Sequence, residues 1–113
     1  MQYMLLIYGS EEAWNDLATN GQEALDAAHR EVFADLTASG ELVLSNELNP
    51  SGAKVVRRTG DRLLVTDGPF TESKEMIGGF YIVDVEGVDR AIEIAGRLEE
   101  TTFSQVEVRA VMH

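Results

Sequence analysis

Apolar residues recur along the chain in two rhythms, and the switches between them mark its elements. Tyr3 to Tyr8 is apolar at nearly every position. A run that short and that apolar reads as a strand buried on both faces. Gly9 to Gly21 is polar apart from Trp14 and Leu17, and reads as a connection that folds down as a lid or a helical turn. Asn20 followed by Glu23 resembles a capping box. Leu25, Ala28, Val32, Phe33 and Leu36 then keep helical spacing until Gly40 offers a left-handed stop. Glu41 to Leu48 is a second strand, ended by Asn49-Pro50-Ser51-Gly52, and Lys54 to Arg58 with Arg62 to Thr66 make a hairpin around Thr59-Gly60-Asp61. A further strand runs from Ile77 to Val85. Val88, Ala91, Ile92, Ala95 and Leu98 predict a second helix, and Gln105 to Met112 closes the chain as a strand alternating Val106, Val108, Ala110 and Met112.

The order is therefore βαβ, hairpin, βαβ. Two helices among strands on a short chain predict an α+β sandwich, with both helices on one face of a mainly antiparallel sheet. The other face is then bare. Yet Met4, Leu6 and Tyr8 oppose Tyr3, Leu5 and Ile7 on the first strand, and Phe80 and Ile82 oppose Tyr81, Val83 and Val85 on a later one. Both sides call for burial, and a second copy packed sheet against sheet about a twofold axis supplies it, enclosing a barrel-like interior. The expected partner is thus a homodimer.

Composition narrows the class. A chain of 113 residues is one domain, residues 1–113, and its 44% apolar and 26% charged content is ordinary for a globular protein. No apolar stretch is long enough to span a membrane, and the opening residues lack a signal peptide's basic region and cleavage site. With no cysteine, disulfide frameworks, thiolate catalysis and cysteine metal sites are excluded, which fits a cytoplasmic setting. The net charge of −11 opposes the phosphate backbone, so direct nucleic-acid binding is not expected; an acidic surface either keeps the protein in solution or suits a basic protein partner.

Chemistry concentrates in two places. At about 100° per residue, His29 falls about 40° from Leu25, between Leu36 and Phe33, and so points at the sheet. An imidazole there needs a hydrogen-bond partner; it is either a core histidine satisfied by a carbonyl or tyrosine hydroxyl, or a general base in a cavity between helix and sheet. The second place is Asp67 to Gly79. Pro69 fixes its own φ and restricts Gly68, so a defined turn aims Asp67 and Phe70. Thr71 can cap Glu72-Ser73-Lys74-Glu75, and Gly78-Gly79 admits a close approach of backbone or ligand. These charges, with Glu72 and Lys74 among them, can hold a polar small molecule; an Asx-type turn with solvated charges fits the spacing equally. Tyr3, Tyr8, Trp14 and Phe70 can wall a pocket. No metal-ligand spacing, P-loop or G-x-S-x-G turn is present, so neither a metal nor a cofactor is expected.

Asp67-Gly68-Pro69-Phe70, continuing through Thr71-Glu72-Ser73-Lys74-Glu75 to Gly78-Gly79-Phe80, resembles the DGPF motif of the YCII-related proteins. "YMLLIY" at Tyr3 to Tyr8 and "VEVRAVM" near the end are similar to their first and last strands. The chain departs from them at Ala110 and at Glu99-Glu100-Thr101, where relatives often carry proline, which bears on where the second helix ends. The resemblance spans the chain and implies a ferredoxin-like fold assembled as a dimeric α+β barrel. It also implies a small-molecule pocket, with His29 and Asp67 matching a histidine and aspartate proposed as an acid-base pair; Lys74 is expected beside them to meet an anionic group. The alternative it implies is a non-enzymatic regulator associated with an extracytoplasmic-function sigma factor.

Overall fold

The computed structural model describes residues 1–68 and 75–112. Strand β1 (Gln2–Ser10) leads into helices α1 (Glu11–Asn20) and α2 (Gln22–Ser39), then β2 (Leu42–Glu47), the hairpin β3 (Lys54–Thr59) and β4 (Arg62–Asp67), β5 (Glu75–Asp84), α3 (Val88–Gly96), a 3₁₀ turn (Glu99–Thr102) and β6 (Val106–Ala110). The main sheet has the order β2-β5-β1-β6 with every pair antiparallel, and β3-β4 form a separate two-stranded sheet. Each βαβ crossover skips one strand position, which a strand of the other unit fills. The result is the ferredoxin-like α+β arrangement.

Tyr3, Leu5 and Ile7 of β1 and Tyr81 and Val83 of β5 point under the helices and are buried with Val32, Leu36, Ala91, Ile94, Ala95 and Leu98. Their alternates Met4, Leu6, Tyr8, Phe80 and Ile82 lie on the opposite face, only partly covered. Met4 sits beside Ile82 and Leu6 beside Phe80, so the apolar residues of the open face form a continuous patch.

Three local features differ from the sequence expectations. The connection after Gly9 is a helix of ten residues, because the Ser10 hydroxyl accepts from the Ala13 N–H and Glu11 and Glu12 sit in its first turn, where the helix dipole favours negative charge. The capping box at Asn20 does not form. Asn20 ends α1 with its amide on Asp16, and Gly21 caps α2 through backbone alone. On α3 the buried set is Ala91, Ile94 and Ala95, followed by Leu98, whereas Val88 and Ile92 face outward. Gly40 stops α2 as expected: at φ 80° its N–H returns to Thr37 and that of Glu41 to Leu36.

Trp14 fastens α1 to the sheet. β5 bulges where the pairing passes from Ile7↔Gly79 to Tyr8↔Ile77, leaving Gly78 as the extra residue. The indole lies over Gly9 and Gly78, where any Cβ would collide with it. Glycine at both positions is therefore what lets α1 sit this close.

Candidate acid-base site

His29 lies in the middle of α2, three residues before buried Val32 and seven before buried Leu36, so its ring is carried to the sheet side. There it bridges two groups. Nδ1 is 2.7 Å from the Tyr81 hydroxyl and Nε2 is 2.6 Å from Glu100 Oε2. The imidazole and phenol rings stack, 5.8 Å between centroids and 16° apart. Tyr81 comes from the inward face of β5, opposite Ser45 on β2.

Glu100 is delivered by the 3₁₀ turn. Leu98 is buried and extended at its start, Thr101 and Thr102 bond back to the carbonyls of Leu98 and Glu99, and the Ser104 N–H reaches the Glu100 carbonyl at 2.8 Å. The Ser104 hydroxyl and Gln105 carbonyl then tie the exit to Tyr8 of β1. Held this way, the Glu100 side chain turns inward and is only 7% exposed, the one buried charged residue among those described. Oε2 meets His29, while Oε1 is buried and makes no hydrogen bond among the described residues. Leaving such an oxygen unpaired costs about 1–3 kcal/mol.

Electrostatics follow from this placement. The hydrogen bond that His29 donates to Glu100 raises the His29 pKa above its ordinary value; partial burial opposes the rise, and the charges of Glu100, Asp26 and Glu47 reinforce it. Burial raises the Tyr81 pKa, a hydrogen bond from Ser45 lowers it in part, and the charge of Glu100 raises it again. With the imidazole neutral, Nε2–H donates to the carboxylate and Nδ1 accepts the Tyr81 O–H. With it protonated, Nδ1–H donates to the Tyr81 oxygen, which frees the phenolic hydrogen for another acceptor. Proton position on His29 thus decides whether Tyr81 offers a hydrogen or a lone pair.

Asp67 sits elsewhere. At the end of β4 it pairs with Lys54 across the hairpin, its side chain 87% exposed, and among the described residues the partners of His29 are Tyr81 and Glu100. Trp14 and Gly78 lie against each other on the helix side of the sheet, and Tyr8 points to the open face with its hydroxyl 3.4 Å from Glu107. Phe70, Glu72 and Lys74 lie outside the described residues. A surface groove of about 990 Å³ between the end of β5 and the start of α3 is lined by Glu41, Asp84, Glu86, Asp89, Arg90 and Glu93, and by none of the residues expected to form a site. Arg90 grips Glu41 there through two 2.8 Å bonds and holds its carboxyl down at about 2. That pair is saturated. Among the described residues no cluster of histidine and carboxylates is placed to hold a metal, and no helix is long and apolar enough to cross a membrane.

Sequence reasoning placed His29 correctly against the sheet and allowed it a tyrosine partner. It missed Glu100, which nothing in the sequence after α3 set apart from its acidic neighbours.

An uncharacterized protein of Rhizobium meliloti (strain 1021) is 29% identical over 105 residues, covering 92% of this chain and 85% of that protein. The family model for the YCII-related domain matches residues 1–113 from end to end. The chain belongs to the YCII-related family.

Proposed function

We propose that this protein acts on, or binds, a small polar molecule at His29, with the imidazole as acid-base group, Glu100 holding its tautomer and Tyr81 as the hydroxyl that gains or loses the proton. One observation carries this reading: His29 spends both nitrogens on a phenol and on a buried carboxylate whose second oxygen is unpaired. Both nitrogens of a part-buried histidine want partners whatever its role, so the carboxylate is what discriminates. A buried carboxylate placed for stability alone would satisfy both oxygens. Positioned proton transfer of this kind typically contributes 10²- to 10⁴-fold, about 3–5 kcal/mol of barrier. In this reading Glu100 takes the orienting role expected of Asp67, which is exposed on the hairpin and paired with Lys54.

The test is a thermal-shift screen against a metabolite library, repeated on variants. A true ligand at a hundred times its Kd adds about 2.7 kcal/mol through linkage. The shift should vanish in His29→Ala, shrink in Tyr81→Phe, and shrink in Asp67→Asn if that carboxylate also touches the ligand. A ligand whose shift survives His29→Ala would sink the reading.

The open face supports the homodimer. Met4, Leu6, Phe80 and Ile82 together form an apolar surface that a copy of itself would cover, and the molecule is only 19 Å thick, two layers with the third missing. Light scattering on a sizing column should give a dimer for the native chain and a monomer for Leu6→Glu, which drives a carboxylate into the middle of the patch. The second reading, a regulator docking a sigma factor, rests on the acidic net charge of −11. Capture of a sigma factor by the full chain, abolished by about 0.5 M salt, would favour it.

A further inference from the structure

The β3-β4 hairpin stands off the body. Its strands pair with each other from Lys54↔Asp67 to Thr59↔Arg62, and the Gly68 N–H to Ala53 carbonyl bond closes its base. It packs chiefly on itself. A compact chain of this length has a radius of gyration of about 13 Å; this one has 15.9 Å and spans 47 Å along its longest axis.

Register sorts its side chains. Val56 and Val65 pair directly, Leu63 opposes Arg58, and alternation puts all four on one face. Val56 is 59% exposed, Leu63 57% and Val65 57%. A two-stranded hairpin is marginal alone in water, and one that also leaves its aliphatic face in water lacks the layer that would stabilise it. Charge is divided the same way. Lys54, Arg57, Arg58 and Arg62 are four of the nine basic residues, against Asp61 and Asp67, so the hairpin carries +2 and leaves −13 on the rest of a −11 chain.

We infer that the hairpin is an arm that clasps a second copy of this chain, laying Val56, Leu63 and Val65 on the margin of the partner's open sheet face with Arg58 toward its carboxylates. A second copy is the occupant both features select. The body offers an apolar sheet face, carries the opposite charge, and places Glu107 on that face beside Leu6. Under twofold symmetry each arm reaches the other body, so the contact is made twice and closes without forming a filament. The arm rests on the homodimer proposed above and adds to it a separate, charge-dependent contact.

Sedimentation equilibrium on the full chain separates the two ideas. Arg58→Glu should weaken the dimer at least about ten-fold at about 50 mM salt, with the gap to the native protein closing near about 500 mM, because an attraction across the interface becomes a repulsion that salt screens. Val65→Asp should weaken it at any salt. Excision of residues 54–67, joining neighbours already hydrogen-bonded, should weaken it too while far-UV circular dichroism keeps its helical signal. Dimer affinity unchanged in all three, with Leu6→Glu monomeric, would overturn the arm and leave the sheet-face dimer standing. A monomeric native chain would overturn both. Duplex DNA bound at about 150 mM salt and lost in Arg58→Glu would assign the arm to nucleic acid instead.

Discussion

Glu100→Gln should lower the His29 pKa with little loss of stability at neutral pH, and Glu100→Ala should lower it and cost about 1–2 kcal/mol as well. Glutamine keeps the shape and can still accept from Nε2–H, but it removes the charge-assisted bond that is the largest cause of the raised pKa. Alanine removes the bond outright. A hydrogen bond to a charged group contributes about 1.5–3 kcal/mol, offset here because the unpaired Oε1 disappears with it. Titration of the ring protons by NMR reads the first effect, and urea unfolding the second. The sign of the pH dependence is fixed. A histidine whose folded pKa lies above the ordinary 6.5 adds stability that is fully present below 6.5 and is lost as pH rises through the folded value. In Glu100→Gln that loss should flatten. An unchanged His29 titration in both variants would mean that the 2.6 Å contact carries no proton-binding energy.

Much of this site was readable from sequence, and the unread part has a physical reason. His29 was legible because a helix repeats every 3.6 residues, so one polar residue within an apolar stripe has only one direction to point. Tyr81 was legible only as a class of partner, because its strand is apolar on both sides and the pattern alone did not say which side faces the helices. Glu100 is one of twenty acidic residues and follows another glutamate in a segment without periodicity. Its burial comes from the tertiary course of a 3₁₀ turn. The motif around Asp67 drew attention because glycine and proline restrict the backbone visibly, yet backbone restriction does not tell which side chains meet. Along β1 and β5 the doubly apolar pattern correctly announced a covered and an open face. On α3, Val88 and Ile92 misled because Ile92 and Ile94 are indistinguishable by hydrophobicity, and only the phase fixed by Ala91 and Leu98 separates them.

Gly9→Ala and Gly78→Ala should each destabilise the fold by about 1–3 kcal/mol and shift the tryptophan emission to the red. A Cβ on Gly9 would lie 2.6 Å from Trp14 Cε2, and one on Gly78 2.5 Å from Cζ2. Neither the ring nor the strand backbone can give that much, so the indole must leave its seat and α1 must move with it. Trp14 is the only tryptophan, which makes the spectrum specific. Emission and unfolding midpoint both unchanged would show that α1 does not depend on this contact. Because α1 precedes α2 with only Gly21 between them, displacing the indole should also loosen the start of the helix that carries His29.

The tie between the 3₁₀ turn and β1 has a kinetic side. Strand β6 is an edge, anchored through Ser104 and Gln105 to Tyr8 and paired with β1 alone. Edge strands fray at lower free energy than the centre of a sheet. Lifting it would release the anchor of the turn before it, and with that the contact of Glu100 to His29. The imidazole's proton affinity would then gauge whether the chain's last strand is docked, and hydrogen-exchange protection at Val106 to Ala110, taken relative to the intrinsic base-catalysed rate, should fall as pH rises and His29 discharges.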